Sequence, residues 1–213
     1  MLIGVRKRFV FVANTKAAST AIERALMPHA EIHRGGSPAR KHMPLHEVLT
    51  EYDFLFGQPE HAPEGYFKFS VMRDPIDWIA SWFRYRKGNR VEHPLPAQMT
   101  FAAFWARGDW NIRRRDGRPN LQRDRFTAPD GTVLADAIIP YHDLEAQLGT
   151  VLAGLGIEAA LPRSNVSRMT ELPEEIPAAL HAEMRDFYAE DYALFDRLDA
   201  INMRGMAALA ARG

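Results

Sequence analysis

Cysteine is absent from this chain, and so are a net charge and any long hydrophobic run. Without cysteine the protein has no disulfide bonds, no thiol chemistry and no thiolate zinc site, which suits the reducing cytoplasm. No apolar run approaches the ~20 residues of a membrane-spanning helix. The first residues, MLIGVRKRF, become charged too early for a signal peptide. We therefore expect a cytoplasmic protein that does not associate with membranes.

The composition is that of a globular protein with a substantial core. The 213 residues are 46% hydrophobic and 25% charged, which suits a single α/β domain over residues 1–213. Residues 1–125 carry 21 Lys and Arg against 13 Asp and Glu, whereas residues 126–213 carry 6 against 14. A basic first part favours an anionic ligand, and two complementary parts that face each other are the alternative.

A strand, a short loop and a helix are predicted in succession from Phe9 to Leu26 (FVFVANTKAASTAIERAL). The opening apolar residues suit a buried strand, and the closing residues favour a helix. The loop contains Lys16, and Ser19 and Thr20 stand directly before the helical run. Because the first N–H groups of a helix are unpaired and partly positive, this arrangement predicts a phosphate site. An ordinary N-cap beside a solvated lysine is the alternative.

Glycine is missing from this loop, so it is not a Walker A loop. That motif requires G-x-x-x-x-G-K-[ST], with the lysine directly before the hydroxyl residue. Here Lys16 comes before Ala17, and Ser19 follows only later. A lysine at the start of such a loop would contact a different side of the ligand.

A second strand and helix are predicted from Tyr66 to Gly88. The strand covers Phe67 to Met72, and Asp74 followed by Pro75 is typical of a helix start. Arg73 lies at the carboxyl end of this strand, where open α/β sheets bind ligands. Ser81 lies about two turns into the helix. We interpret the cations of the last turn, Arg84, Arg86 and Lys87, as complements of the helix dipole rather than ligands.

Together the two stretches resemble the paired cofactor motifs of sulfotransferases that use 3′-phosphoadenosine 5′-phosphosulfate (PAPS). The segment Thr15-Lys16-Ala17-Ala18-Ser19-Thr20 resembles their 5′-phosphosulfate loop in its carbohydrate-sulfotransferase form, with Thr15 where the family usually has proline. Arg73-Asp74-Pro75 with Ser81 resembles their 3′-phosphate motif. A looser resemblance continues through Lys41-His42, Gln122, Asn165 with Ser167, and a final helix with Tyr188 and Asp191.

This resemblance implies an α/β fold with a central, mostly parallel sheet flanked by helices, the P-loop-NTPase-like sulfotransferase fold. It implies in-line transfer of a sulfuryl group from PAPS, the co-substrate, to a hydroxyl of a small molecule or carbohydrate. Lys16 would neutralise charge on the leaving oxygen, while backbone N–H groups from Ala17 to Thr20 and the hydroxyls of Ser19 and Thr20 hold the 5′-phosphate. Arg73 and Ser81 would bind the 3′-phosphate, and no metal is expected.

The general base is expected between the two motifs, where some carbohydrate members of the family carry theirs. His42 is the first candidate and His46 the second, because histidine titrates near neutral pH. Glu47 and Glu51 lie in the same interval.

Two other functions stay open. A P-loop-like kinase or nucleotide hydrolase would use Asp74 to hold magnesium. A non-catalytic protein that binds anions or glycans would use the arginine-rich segment from Asn111 to Arg125, which could also be a solvated loop. Nucleic-acid binding is not expected, because the charge is balanced and no known motif is present. Further along the chain, the apolar pattern predicts one long helix from Pro173 to Leu198.

Overall fold

The computed structural model describes residues 1–88, 91–159 and 176–212. Within them, five strands form one open sheet in the order β3-β1-β2-β4-β5. The strands are β1 (Leu2–Gly4), β2 (Phe9–Phe11), β3 (Ile32–His33), β4 (Phe67–Met72) and β5 (Ala137–Pro140).

Helices surround this sheet. The α-helices are α1 (Ser19–Leu26), α2 (Pro38–Lys41), α3 (Leu45–Glu51), α4 (Asp53–Phe56), α5 (Pro75–Gly88), α6 (Phe101–Arg107), α7 (Leu144–Gly154), α8 (Ala178–Phe187), α9 (Ala189–Phe195) and α10 (Leu198–Ala210). Short 3₁₀ turns occupy Met27–His29, Pro59–His61, Pro63–Gly65, Arg123–Arg125 and Tyr141–Asp143. No helix in the described part of the chain combines the length and apolarity needed to cross a bilayer.

The sheet is mixed. Strands β2, β4 and β5 run parallel, as the resemblance implies. Strand β1 is antiparallel to both β2 and β3. The connection from Gly4 to Phe9 is a tight turn, and a turn of that length joins antiparallel strands only.

Side chains on the two faces of the sheet enter different cores. Phe9 and Phe11 point to the face that α1 and α7 cover, whereas Val10 points to the face that α3, α4 and α9 cover. This is the alternation that a strand imposes on successive residues. All three side chains are fully buried, so burial on both faces explains the continuous apolar run in the sequence.

The predicted start of α5 is confirmed. Asp74 Oδ1 accepts hydrogen bonds from the backbone N–H groups of Ile76 and Asp77, both at 3.0 Å, and Pro75 is the first helical residue. The apolar face of the helix, including Phe83, packs against α6, α8 and α9 in a third core. Helix α5 is thereby fixed with its first turn beside the carboxyl end of β4.

The single helix predicted from Pro173 to Leu198 is wrong in the part that the structure describes. Tyr188 leaves the helical conformation (φ −99°, ψ 24°) between α8 and α9, and α10 begins only at Leu198. The Tyr188 ring is fully buried, and its centroid lies 5.9 Å from that of Trp105. The buried Tyr188 therefore marks the point at which the predicted helix is interrupted. Residues 160–175, with Asn165, Ser167 and the expected helix start at Pro173, lie outside the described residues.

Candidate functional site

The lysine loop, residues 14–18, connects β2 to α1 in two tight bends. Lys16 and Ala18 both have φ near 56°, a left-handed conformation that costs a residue with a side chain ~1–3 kcal/mol. The carbonyl of Ala18 accepts the N–H groups of Ala21 and Ile22 at 2.9 and 3.2 Å. Ser19 is therefore the first residue of α1 rather than a cap that precedes it.

The first N–H groups of α1 follow directly after the lysine loop. By their position, the N–H groups of Ser19 and Thr20 have no partner inside the helix. Ser19 is buried and Thr20 partly exposed. The geometry of the loop is therefore that of an anion-binding helix start.

Arg73 reaches the lysine loop from the neighbouring parallel strand. Its Nη1 donates to the carbonyl of Lys16 at 3.4 Å. From the first turns of α5, the indole N–H of Trp78 donates to the carbonyl of Thr15 at 2.9 Å. The two stretches that the sequence singles out thus meet at the carboxyl ends of β2 and β4.

Three cations gather here around one carboxylate. Asp77 pairs with Nε of Arg73 and, at 3.1 Å, with Nη2 of Arg84. Burial, and to a smaller extent the nearby charges of Arg73 and Arg84, lowers the pKa of Lys16 from 10.5 to about 8. Positive charge exceeds negative charge at this point, so an anion would be stabilised.

Arg84 was not expected in this cluster. Its place in the last turns of α5 indicated a complement of the helix dipole, but its side chain is buried and bound to Asp77, two turns back along the helix. Arg86 is also paired, with Asp109 at 2.8 Å. Both arginines therefore have specific carboxylate partners, and only Arg84 faces the lysine loop.

Aromatic rings contact Lys16 and Arg73, the two cationic side chains that are predicted to bind PAPS. The ammonium of Lys16 lies 3.4 Å from the ring centroid of Tyr85 and 5.6 Å from that of Trp82. The guanidinium carbon of Arg73 lies 4.3 Å from the ring centroid of Tyr141. Cation–π contacts of this kind contribute ~0.5–2 kcal/mol each, so they fix both side chains without neutralising them.

Asn14 and Gln122 tie the two strand ends together. Asn14 Nδ2 donates to the carbonyl of Val71 at 3.0 Å and to Gln122 Oε1 at 2.9 Å. Asn14 and Gln122 are 2% and 1% exposed. A buried amide directly after a strand indicates such a cross-link in the sequence, but nothing near Gln122 identifies its partners.

A buried carboxylate forms hydrogen bonds with the backbone at Gln122. Asp191 of α9 is fully buried and accepts the backbone N–H groups of Gln122 and Arg123 at 3.0 and 2.8 Å. Burial raises the pKa of Asp191 to about 7, against the opposing effect of these hydrogen bonds. The C-terminal helices are thereby connected to the ends of β2 and β4.

His42 lies at the base of the lysine loop. Its Nδ1 is 2.7 Å from the carbonyl oxygen of Ala13, and since a carbonyl only accepts, Nδ1 carries the proton and Nε2 keeps a free lone pair. Burial lowers the pKa of His42 to about 4, so the imidazole is neutral at pH 7. The preceding Lys41 lies 2.8 Å from Glu23 and 3.4 Å from the hydroxyl of Thr20.

His46 and Ser81 are not joined to the lysine loop by hydrogen bonds within residues 1–88, 91–159 and 176–212. Nδ1 of His46 lies 3.2 Å from the carbonyl oxygen of Thr127. Ser81 is buried in α5, with 9% of its surface exposed. Of the predicted site residues, the structure brings together Thr15 to Thr20, Arg73 and His42.

The arginine-rich segment is largely paired with its own surroundings. Arg114 pairs with Asp124, and Arg123 with Glu190 of α9. Arg118 lies 2.6 Å from Asp116. Three of the six arginines from Asn111 to Arg125 thus form ion pairs with described carboxylates, and these pairs hold the segment in place.

Comparisons with known proteins identify no relative. A scan against protein-family models found no match, and searches of curated proteins and of solved structures returned no significant match.

Proposed function

We propose that this protein is a PAPS-dependent sulfotransferase with the P-loop-like fold of that family, active in the cytoplasm. The observation that carries the proposal is the contact between the Arg73 guanidinium and the Lys16 carbonyl. It joins the ends of two neighbouring parallel strands into one cationic region. A nucleotide with separate phosphates on its 3′ and 5′ ribose oxygens needs two such anchors, whereas ATP carries all its phosphates on the 5′ oxygen and needs only one.

Each cation has a distinct part in the proposed reaction. Lys16 would neutralise the charge that develops on the oxygen between phosphorus and sulfur as the sulfuryl group leaves. The N–H groups and hydroxyls of Ser19 and Thr20 would hold the 5′-phosphate. Arg73 would bind the 3′-phosphate through its forked donors, and Ser81 would assist if its hydroxyl turns toward the same phosphate.

His42 is the base in this proposal. It is neutral at pH 7, and its Nε2, which has no hydrogen-bond partner among the described residues, would accept the proton of the acceptor hydroxyl. Its pKa of about 4 makes it a weaker base than the near-neutral histidine expected from the sequence. His46, which is bound to Thr127, is the second candidate.

The two alternative functions receive less support. Both carboxylate oxygens of Asp74 lie 3.2–3.3 Å from the Tyr192 hydroxyl, and Oδ1 also caps α5, so a magnesium ion would have to displace these partners. Glycan binding through the arginine-rich segment would compete with the ion pairs that already hold it.

Calorimetric titration with adenosine 3′,5′-bisphosphate tests the proposal. We expect binding without magnesium and much weaker binding of ATP. Lys16→Ala should abolish sulfuryl transfer from labelled PAPS, whereas Lys7→Ala, which removes a lysine that donates to the Gly156 carbonyl, should leave it unchanged. A preference for ATP with magnesium would support a kinase, and unchanged turnover in Lys16→Ala would refute the mechanism.

A further inference from the structure

Aromatic rings continue outward from Lys16 to the protein surface. The Lys16 ammonium contacts the ring of Tyr85, and the Tyr85 ring centroid lies 6.0 Å from that of Trp82. Trp82 in turn meets Trp110, with centroids 5.0 Å apart and planes at 80°. The three rings, Tyr85, Trp82 and Trp110, form an aromatic platform that leads away from the reactive lysine.

The outer end of the aromatic platform is open to solvent. Trp110 is 52% exposed, among the few large hydrophobic side chains exposed in the described part of the chain. Behind it, the indole N–H of Trp82 is buried and has no hydrogen-bond partner among the described residues. An unpaired buried donor costs ~1–3 kcal/mol, and a hydroxyl of a bound ligand would supply the missing partner.

An arginine that pairs with Asp109 contacts the outer ring of the aromatic platform. The guanidinium carbon of Arg86 lies 5.7 Å from the Trp110 ring centroid. A hairpin that pairs Arg113 with Pro119 follows directly, and Asn120 at its base donates to the Trp110 carbonyl at 3.5 Å. This hairpin carries Arg115, which is exposed and forms no ion pair with any described residue.

We propose that the aromatic platform is the acceptor subsite and that it binds the ring of an acidic sugar; this rests on the proposed sulfotransferase function. A sugar ring has an apolar face that stacks on an exposed indole and a rim of hydroxyls, and a carboxylate on it would pair with Arg115. Ring binding at Trp110 turns a sugar hydroxyl toward the sulfuryl group held at Lys16.

Calorimetry with three probes tests this proposal in the presence of saturating adenosine 3′,5′-bisphosphate. The probes are a glucuronate-containing disaccharide, its neutral glucose counterpart and 4-nitrophenol. We expect the acidic disaccharide to bind most tightly, and Trp110→Ala to weaken it about tenfold, as for loss of a stacked ring. Trp110→Phe should restore part of the affinity, and Phe54→Ala, which removes another exposed ring (64%), should have no effect.

The outcomes separate this subsite from the proposed function. If the wild-type protein does not bind the bisphosphate, the sulfotransferase proposal fails. If it binds the bisphosphate but Trp110→Ala leaves the disaccharide affinity unchanged, or no disaccharide binds, the subsite is refuted alone. A loss of bisphosphate affinity in Trp110→Ala would mean that the ring stacks on adenine, and tighter binding of 4-nitrophenol would identify a phenol site; either result overturns the proposal.

Discussion

The side-chain amide of Gln122 pairs with the backbone of Arg73 as a neighbouring strand would. The Arg73 N–H donates to Gln122 Oε1 at 3.1 Å, and Gln122 Nε2 donates to the Arg73 carbonyl at 2.8 Å. The same Oε1 accepts from Asn14 Nδ2. One side chain thus fixes how the end of β4, with its arginine, is placed against the end of β2, with its lysine.

Gln122→Ala should loosen both strand ends. It leaves the N–H of Arg73 without its Gln122 partner and the buried amide of Asn14 with one of its two acceptors, the Val71 carbonyl, at a cost of ~1–3 kcal/mol in the free energy of unfolding. The affinity for adenosine 3′,5′-bisphosphate should fall as well, because Arg73 is no longer held. Urea denaturation and calorimetry measure the two effects. Gln58→Ala, which removes one exposed hydrogen bond to Phe54, is the control; equal behaviour of the two variants would contradict this prediction.

The sequence predicts the local structure of the site well, because local chemistry determines it. Asp74 and Pro75 mark the start of α5, and an apolar run followed by a lysine loop marks the end of β2. The meeting of Lys16 and Arg73 follows from parallel strands, whose carboxyl ends share one edge of the sheet.

Long-range partners are what the sequence does not reveal. Gln122 binds Asn14 across 108 positions and Arg73 across 49, and no periodicity encodes such a pair. Arg84 was interpreted as a complement of the helix dipole because a cation in the last turns of a helix is typical of that role as well as of a specific ion pair. The sequence also hides the break at Tyr188. Its ring falls on the apolar face of the predicted helix, so the periodicity continues through the residue at which the helix is interrupted.

Arg73→Ala should weaken donor binding selectively. Loss of a charged hydrogen bond to the 3′-phosphate costs ~1.5–3 kcal/mol, so the affinity for adenosine 3′,5′-bisphosphate should fall while that for adenosine 5′-monophosphate changes little. Arg73→Lys should recover part of the loss, because it keeps the charge but not the fork. Calorimetry with both nucleotides measures the difference. An equal loss for both would show that Arg73 does not contact the 3′-phosphate.

Ala18→Gly should stabilise the protein. Ala18 has φ 56° and ψ 13°, a conformation that glycine adopts without strain, and relief of that strain outweighs the greater flexibility of glycine when unfolded. We expect a gain of ~0.5–1 kcal/mol in the free energy of unfolding, measured by urea denaturation. Ala17→Gly is the matched control: Ala17 is buried and is not among the positive-φ residues, so this change should destabilise. A loss in both variants would mean that the bend at Ala18 is not strained.

The affinity for adenosine 3′,5′-bisphosphate should fall as the pH rises through about 8. Burial and the charges of Arg73 and Arg84 lower the pKa of Lys16 from 10.5 to about 8, and only the ammonium form attracts the anion. Below pH 8 the free protein already carries that charge; above it, binding must first take up a proton, so affinity falls by up to about tenfold per pH unit until the raised pKa of the complex is reached.

The lowered pKa of Lys16 makes the folded protein more stable as the pH rises, whereas it makes bisphosphate binding weaker. Burying the ammonium costs free energy that is fully present below pH 8, and this cost is relieved as the pH rises from about 8 toward 10.5. Lys16→Arg stays charged over this range, so its bisphosphate affinity should not change with pH. Calorimetry from pH 7 to 9.5 on both proteins isolates the lysine, because the titration of every other group is shared. A parallel decline in the two proteins would assign the pH dependence to another group and remove Lys16 from the anion site.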